Sequence, residues 1–138
     1  MDKNQIYLII DDDADDIDFF CEAIEEIDEE AECLMARNGE EALRLLRKQN
    51  TFPDCIFLDL NMPRMDGKTC LAEMKKDKGL KDIPVVIYTT STHLKDREET
   101  LQLGADHFLT KPISFKKLCE DIRDAIEIVG QGRSTGVR

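Results

Sequence analysis

The chain has 138 residues, a length that suits one compact domain, and 41% of its residues are apolar while 36% are charged. Acidic residues (30) outnumber Lys and Arg (19), and the net charge of −11 at pH 7 repels both nucleic acid and anionic membranes. No apolar run approaches the roughly 20 residues of a membrane span, and the polar N-terminus lacks a signal-peptide pattern. We therefore expect a cytoplasmic protein that binds neither nucleic acid nor membrane.

Short apolar runs alternate five times with segments of helical period, which is typical of strand-helix units around a parallel sheet. The first run, residues 7–10, is apolar at every position, as expected of a strand covered by helices on both faces. The predicted strands, in chain order, are residues 7–10, 33–36, 55–58, 85–88 and 107–109. The sequence thus predicts an α/β fold with a five-stranded parallel sheet.

Apolar residues at spacings of three and four mark one face of each segment between these strands. The predicted buried faces are Ile17, Phe20, Cys21, Ile24 and Ile27; Ala42, Leu45 and Leu46; Cys70, Leu71 and Met74; and Phe115, Leu118, Cys119, Ile122, Ala125, Ile126 and Val129. Asn38, followed three residues later by Glu41, is a predicted N-cap of the second helix, and Ser114 is a predicted N-cap of the last.

The fourth helical segment, from about His93 to Leu103, has a weaker pattern than the others. Its apolar residues are limited to Leu94, Leu101 and Leu103. A helix with so few apolar side chains has little to bury, so we expect it to be weakly attached to the sheet.

The last residues of the chain, 130–138, show no periodicity and include three glycines. We therefore predict one domain over residues 1–129, followed by a flexible tail over 130–138. No internal repeat and no linker divides the first 129 residues.

Five cysteines are present, an odd number, and none of them belongs to a C-x-x-C pair. This pattern fits neither a disulfide framework nor a zinc site. Because each cysteine falls within an apolar pattern, we predict reduced thiols packed among apolar neighbours.

Polar side chains follow four of the predicted strands at the point where each strand ends. Because the strands are parallel, these side chains converge on one edge of the sheet, where open α/β sheets bind their ligands. The converging residues are Asp11, Asp12, Asp13, Asp59, Thr89, Thr90 and Lys111. Clustered carboxylates repel one another unless a cation neutralises them, and a site of oxygen ligands suits Mg²⁺.

An aspartate can also act as a nucleophile toward phosphorus, which forms an acyl phosphate. Such a transfer requires groups held in line and charge balance on the phosphoryl oxygens. Lys111 offers a cation and Thr89 a hydroxyl donor for that purpose.

Four sequence blocks, taken in order, resemble the response-regulator receiver domain, in particular the single-domain chemotaxis regulators. The blocks are Leu8-Ile9-Ile10-Asp11-Asp12, Asp59-Leu60-Asn61-Met62-Pro63-Arg64-Met65-Asp66-Gly67, Ile83-Pro84-Val85-Val86-Ile87-Tyr88-Thr89, and Gly104-Ala105-Asp106 leading to Lys111-Pro112. The resemblance covers about residues 5–129. It implies the doubly wound, flavodoxin-like receiver fold with strand order 2-1-3-4-5.

The resemblance also implies a role for each matching residue. Asp59 would accept the phosphoryl group, while Asp12, Asp59 and the backbone carbonyl of Asn61 would bind Mg²⁺ directly. Asp11 would act through a metal-bound water. Thr89 and Lys111 would take phosphoryl oxygens, and Thr89 with Phe108 would form the conformational switch.

Two positions, Phe108 and Asp13, differ from the commonest family pattern, and Pro112 matches it. Phe108 stands where Tyr is frequent, which keeps the aromatic ring and removes its hydroxyl. Asp13 adds a third carboxylate after the first strand, which either caps the first helix or raises metal affinity. The family also has a cis peptide before the proline that Pro112 matches, so we expect a cis bond that aims Lys111 into the site.

The implied function is that of a single-domain response regulator in a two-component phosphorelay, a switch that promotes its own phosphorylation and dephosphorylation without being an enzyme for a separate substrate. Its partners would be a histidine kinase or histidine phosphotransfer protein and a downstream protein, and it would be a monomer or a phosphorylation-dependent dimer. One alternative is a receiver-like scaffold that is never phosphorylated. The other is a phosphatase of the haloacid-dehalogenase type, which generally has an acid where this chain has Asn61.

Overall fold

The computed structural model describes residues 4–48 and 52–137, with the backbone alone described for 131–137. Five strands alternate with five helices in this part of the chain. In chain order they are β1 (Ile6–Ile10), α1 (Ala14–Ile27), β2 (Glu32–Ala36), α2 (Gly39–Lys48), β3 (Cys55–Leu58), α3 (Gly67–Lys76), β4 (Val85–Thr89), α4 (Leu94–Gln102), β5 (His107–Thr110) and α5 (Phe115–Val137). The strand-helix alternation predicted from the sequence is confirmed.

The strands form one parallel sheet in the order β2-β1-β3-β4-β5, as expected from the resemblance. Side chains of β1 alternate between two apolar layers: Leu8 and Ile10 enter the layer under α2 and α3, and Tyr7 and Ile9 enter the layer under α1 and α5. Because both faces are covered, every residue from Tyr7 to Ile10 is buried. The uninterrupted apolar run in the sequence follows directly from this arrangement.

The predicted caps are present at three helix starts. Asp13 accepts hydrogen bonds from the backbone N–H groups of Asp15 and Asp16. Of the two roles considered for this residue, the capping of the first helix is therefore confirmed. Asn38 accepts from the backbone N–H of Glu41 at 2.8 Å, and Ser114 accepts from that of Lys117 at 2.9 Å. Each cap satisfies an otherwise unpaired donor of the first helical turn.

The predicted buried face of α2 was wrong at one position. Leu43 is buried together with Ala42 and Leu46, while Leu45 is only half-buried. Ala42, Leu43 and Leu46 are spaced i, i+1 and i+4, so the helix buries a stripe rotated by one residue from the predicted one.

The helix α4 is held with little apolar packing, as predicted. Leu94, Leu101 and Leu103, the expected anchors, are 66%, 41% and 37% exposed, so that detail of the prediction was wrong. Thr100 is the one residue of α4 that is buried. Its hydroxyl donates to the backbone carbonyls within its own helix, at Asp96 and Arg97, which allows a polar side chain to face the sheet.

Polar contacts instead tie α4 to α3. The ammonium group of Lys68, on α3, lies 2.7 Å from Asp96 Oδ1 and also contacts Glu99 Oε1. Both carboxylates belong to α4. Since all three side chains are partly exposed, each pair contributes on the order of 0.2–1 kcal/mol.

Replacement of Lys68 by alanine is therefore expected to loosen α4 without unfolding the protein. We expect amide hydrogen exchange over Leu94–Gln102 to accelerate about fivefold, which corresponds to about 1 kcal/mol of local stability. Lys76→Ala on the same helix removes a pair with Glu73 that does not reach α4, so exchange in α4 stays unchanged in this control. Equal exchange in the Lys68 variant and the wild type would show that these ion pairs do not hold α4.

The helical backbone of α5 continues to Val137, through most of the segment predicted to be a tail. The flexibility of that segment and the domain boundary at residue 129 remain predictions. None of the helices in the described part of the chain is long and apolar enough to cross a membrane.

Candidate functional site

The carboxyl ends of β1 and β3 bring three acidic side chains together. Ile10 and Leu58 are paired in the sheet, and the backbone N–H of Asp59 donates to the carbonyl of Ile10 at 2.9 Å. The residues that follow these two strands are therefore neighbours. One carboxylate oxygen from each of Asp11, Asp12 and Asp59 lies within 4.8 Å of the others.

Two of these carboxylates are buried and one is exposed. Asp11 has no exposed surface and Asp59 is 5% exposed, whereas Asp12 faces solvent. Burial, together with repulsion from Asp11, raises the pKa of Asp59 to about 6, although the charge of Lys111 opposes the shift. Burial likewise raises the pKa of Asp11 above its usual value. Burial is the largest cause of both shifts, because the folded protein removes water from groups that prefer to be charged in water.

Lys111 supplies the positive charge at this site. Its ammonium group lies 2.7 Å from Asp11 Oδ2, 2.8 Å from Asp16 Oδ2 and 3.8 Å from Asp59 Oδ1. Burial lowers the pKa of this lysine, but its hydrogen bonds to Asp11 and Asp16 outweigh burial and raise it above the usual value. Lys111 is thus a fixed cation beside the candidate nucleophile.

The bond before Pro112 is not the cis bond expected from the resemblance. No peptide bond in the described residues is cis, so Lys111 and Pro112 are joined in the trans form. The energetic difference between the two isomers is small for an X-Pro bond, about 0.5–1 kcal/mol. Lys111 reaches the carboxylates with the trans bond.

Asp16 is a site residue that the sequence did not single out. Its carboxylate, in the first turn of α1, accepts a hydrogen bond from the ammonium of Lys111, 95 residues away along the chain. One signal was available in the sequence: α1 starts at the same edge of the sheet as the other acids. An acid in its first turn therefore lies within reach of the cluster.

Thr89 ends β4 and is fully buried beside Asp59. Its hydroxyl favours the charged carboxylate of Asp59 and so opposes part of the rise that burial causes in the pKa of that residue. Thr89 Oγ1 also accepts from the backbone N–H of Ser91 at 3.3 Å, and the Ser91 hydroxyl donates to Asp96 Oδ2 at 2.6 Å. A continuous set of hydrogen bonds therefore joins the site to the first turn of α4.

Gly67, the first residue of α3, is pressed against the backbone of the candidate nucleophile. A Cβ at this position would collide with the carbonyl oxygen of Asp59 and lie 2.7 Å from Leu60 Cα. The backbone N–H of Gly67 donates to the carbonyl of Leu60 at 2.9 Å. Only glycine permits this approach, which fixes the chain just after Asp59.

Next to the acidic cluster is an open depression of about 450 Å³. Its lining consists of Asp12, Leu60, Asn61, Met62, Pro63, Asp66, Lys68 and Asp96. A hard divalent cation fits the donor set here, because three carboxylates offer oxygen ligands and the depression leaves room for water and a phosphate. Asn61 lines the same depression as Asp12, and its role as a metal ligand stays a prediction.

Phe108, the predicted aromatic residue of the switch, lies on β5. The ring is 7% exposed and packs in the apolar layer under α2 and α3, with the guanidinium carbon of Arg97 5.9 Å from the ring centroid. Arg97 belongs to α4, so the side chain of Phe108 connects β5 to that weakly packed helix.

This chain is similar to known receiver domains in sequence and in structure. The family model described as the response regulator receiver domain matches residues 7–123. The response regulator Rcp1 of Synechocystis sp. (strain ATCC 27184 / PCC 6803 / Kazusa) is 33% identical over 119 residues, which cover 83% of this chain and 81% of Rcp1. The probable transcriptional regulator ycf27 of Porphyridium aerugineum is 35% identical over 73% of this chain.

The chain spans 40% or less of the length of the ycf27 relatives that it matches. Among solved structures, the phosphorylated cyanobacterial phytochrome response regulator RcpA superposes with a TM-score of 0.82 at 32% identity, over 91% of this chain and 93% of RcpA. The Mn²⁺-bound form of Rcp1 gives a TM-score of 0.77 at 31% identity, over 87% of this chain and 90% of Rcp1. The resemblance that the four sequence blocks indicated is confirmed.

Proposed function

Because this chain belongs to the response regulator receiver domain family, we propose that it is a single-domain response regulator that accepts a phosphoryl group on Asp59. The observation that carries this proposal is the surroundings of Asp59. Its carboxylate is buried, shares a cluster with Asp11 and Asp12 within 4.8 Å, and has the ammonium of Lys111 at 3.8 Å. A scaffold needs none of these groups so close together.

In the proposed reaction, a carboxylate oxygen of Asp59 forms a bond to phosphorus as the bond from phosphorus to the donor nitrogen of a phosphohistidine breaks. The leaving nitrogen keeps the electron pair and is protonated. Lys111, which already donates hydrogen bonds to the carboxylates of Asp11 and Asp16, binds a phosphoryl oxygen in place of one of them. The Thr89 hydroxyl donates to another phosphoryl oxygen. These groups offset charge that a buried site would otherwise leave unbalanced.

Mg²⁺ is the proposed cofactor, held by Asp12, Asp59 and the carbonyl of Asn61, with Asp11 acting through a water molecule. When bound, the ion neutralises the carboxylates and shares ligand positions with phosphoryl oxygens. Two findings support a divalent ion here: the carboxylate cluster, and the Mn²⁺ named for the Rcp1 structure. The phosphorylated state named for RcpA supports the phosphoryl group.

The proposed output is a phosphorylation-dependent change in binding to a downstream protein, after phosphoryl transfer from a histidine kinase or histidine phosphotransfer protein. The switch would use Thr89, Phe108 and α4. Phe108 is already buried. Phosphorylation would therefore tighten the packing of neighbouring residues around its ring and would not bring the ring in from solvent. The sparse packing of α4 supports two arrangements of similar energy.

The test is the intact mass of the protein after incubation with acetyl phosphate and Mg²⁺. We expect one added phosphoryl group on the wild type, and none on Asp59→Asn or on the wild type with excess EDTA. Asp54→Asn, at an exposed acid on the opposite edge of the sheet, is the matched control and should be modified like the wild type.

Binding of beryllium fluoride, monitored by NMR, is the second measurement, because it detects the phosphoryl site even when the adduct hydrolyses before its mass is recorded. If neither an adduct nor beryllium fluoride binding is observed, the protein is an unphosphorylated scaffold. Steady release of phosphate from many small phosphate esters would instead identify a phosphatase. An adduct that persists in Asp59→Asn would place the phosphoacceptor elsewhere.

A further inference from the structure

Two thiols face each other on the side of the sheet that α1 and α5 cover. Cys21 is on α1 and Cys33 is on β2, and their sulfur atoms are 2.8 Å apart. Both side chains pack at the margin of the apolar layer there. All five cysteines lie in the described part of the chain and have the thiol form.

Solvent reaches this pair more readily than the other thiols. Cys21 and Cys33 are partly exposed, whereas Cys55, Cys70 and Cys119 are 2%, 0% and 6% exposed. Strand β2 is at the edge of the sheet, and β1 alone pairs with it. A small oxidant can therefore approach the two sulfur atoms without opening the core.

The contact between the two thiols also makes one of them the better nucleophile. The two sulfur atoms share a hydrogen bond in which either can be the donor. When Cys33 donates, the bond stabilises the Cys21 thiolate and lowers the pKa of Cys21 against the opposing effect of burial. Cys33 keeps its proton, so its pKa is raised. In contrast, burial raises the pKa of Cys70 to about 12 and raises that of Cys119. Thiolates, rather than thiols, react with peroxides.

We propose that Cys21 and Cys33 form a reversible disulfide when the protein meets a hydroperoxide. The Cys21 thiolate bonds to one oxygen of hydrogen peroxide, the O–O bond breaks, and the released hydroxide becomes water on protonation. The sulfur of Cys33 then loses its proton and displaces the hydroxyl of the Cys21 sulfenic acid, which leaves as a second water. Overall, two thiols are oxidised and one peroxide is reduced to two waters.

The two sulfur atoms are already close to bonding distance. A disulfide has a sulfur-sulfur distance of about 2.05 Å, so the two atoms need to approach by about 0.8 Å. The two positions are 12 apart in the sequence, and the residues between them include the end of α1 and the turn before β2. Closing a loop of this size stabilises the fold by restricting the unfolded chain. The oxidised protein is therefore expected to unfold at a temperature about 5–10 °C higher than the reduced protein.

Peptide mapping of the full chain tests the proposal directly. Protein is treated with hydrogen peroxide, denatured in iodoacetamide to block remaining thiols, and cut before aspartates under non-reducing conditions. Each of the five cysteines falls on a different peptide of this digest, with Cys21 on 18–27 and Cys33 on 28–53. We expect these two peptides to be joined, and the peptides with Cys55, Cys70 and Cys119 to carry the alkyl group. Dithiothreitol should separate the joined pair.

Two variants complete the test. Cys33→Ser is expected to stop at an oxidised Cys21 without a cross-link and to show no rise in unfolding temperature. Cys119→Ser is the matched control, since it removes a cysteine outside the pair, and should form the cross-link like the wild type. The mapping of wild-type protein needs neither variant to fold. The proposal is overturned if peroxide leaves 18–27 and 28–53 unlinked, if it oxidises Cys21 without a cross-link, or if it joins other peptides or two chains.

Discussion

Asp59→Asn is expected to stabilise the metal-free protein at pH 7.5, by about 2–3 kcal/mol in the free energy of unfolding. The carboxylate of Asp59 is nearly buried beside Asp11, and its pKa is raised from 3.8 to about 6. Each unit of difference between the folded and unfolded pKa values corresponds to about 1.4 kcal/mol. Asparagine has a similar shape and no charge, so it removes this cost.

The dependence on pH follows from the direction of the shift. A raised carboxyl pKa means that the folded state binds a proton more tightly than the unfolded state does, so the charged group destabilises the fold above pH 6. The destabilisation is relieved as the pH falls from about 6 toward 4. The stability difference between Asp59→Asn and the wild type should therefore shrink to about half between pH 7.5 and pH 5. Asp11 remains in both proteins and contributes in the same direction.

Urea unfolding at both pH values, in EDTA, measures the two free energies. Asp18→Asn, at an exposed acid on α1, serves as the control and is expected to lie within about 0.5 kcal/mol of the wild type at either pH. An Asp59→Asn protein that is less stable than the wild type at pH 7.5 would contradict the electrostatic account of the site.

Gly67→Ala is expected to destabilise the protein by about 3 kcal/mol and to reduce phosphoryl acceptance together with stability. The added methyl group would overlap the carbonyl oxygen of Asp59 and crowd Leu60, and both obstacles are backbone atoms that no side-chain rotation can remove. Either α3 moves outward or the chain after Asp59 shifts. Overpacking of this kind typically costs about 1–3 kcal/mol, and the rigid neighbours place Gly67 at the upper end.

Thermal and urea unfolding measure the loss of stability, and intact mass after acetyl phosphate treatment measures acceptance. Gly79→Ala is the matched control, because a Cβ there meets only Asp77 Oδ1 at 3.4 Å, an ordinary contact. It should remain within about 0.5 kcal/mol of the wild type. Wild-type stability in Gly67→Ala would show that α3 does not need to lie so close to Asp59.

Local patterns predicted the five parallel strands and the convergence of polar residues at one edge of the sheet, whereas the strand order was implied by the resemblance to the receiver family. A strand such as Tyr7 to Ile10, buried on both faces, must be apolar throughout, and the acids that follow parallel strands must meet at one edge. Asp59 lies beside Asp11 and Asp12 because β1 and β3 are neighbours in the sheet, an order that the resemblance implied. The four family blocks then indicated the role of each residue.

Contacts made by long side chains between distant segments were not predicted. The carboxylate of Asp16 bonds Lys111 only because α1 presents its first turn to the site, and Lys68 meets Asp96 only because α3 and α4 lie side by side. An exposed or half-buried charged residue has many possible partners, and periodicity does not distinguish among them. The thiol pair was missed for a similar reason, since Cys21 and Cys33 are paired by packing and not by spacing.

The hydrogen bonds from Thr89 through Ser91 and Asp96 to Lys68 set a limit on independent motion at the site. A hydrogen bond has little strength beyond about 3.5 Å, so the 2.6 Å bond between Ser91 and Asp96 tolerates a separation of less than about 1 Å. If Thr89 moves farther than that, either this bond breaks or the first turn of α4 travels with it. When Thr89 moves, the weakest contact along this series breaks first and decides which part of the molecule moves with it. The partly exposed ion pair between Lys68 and Asp96 is weaker than the hydrogen bond between Ser91 and Asp96, so α4 is expected to separate from α3.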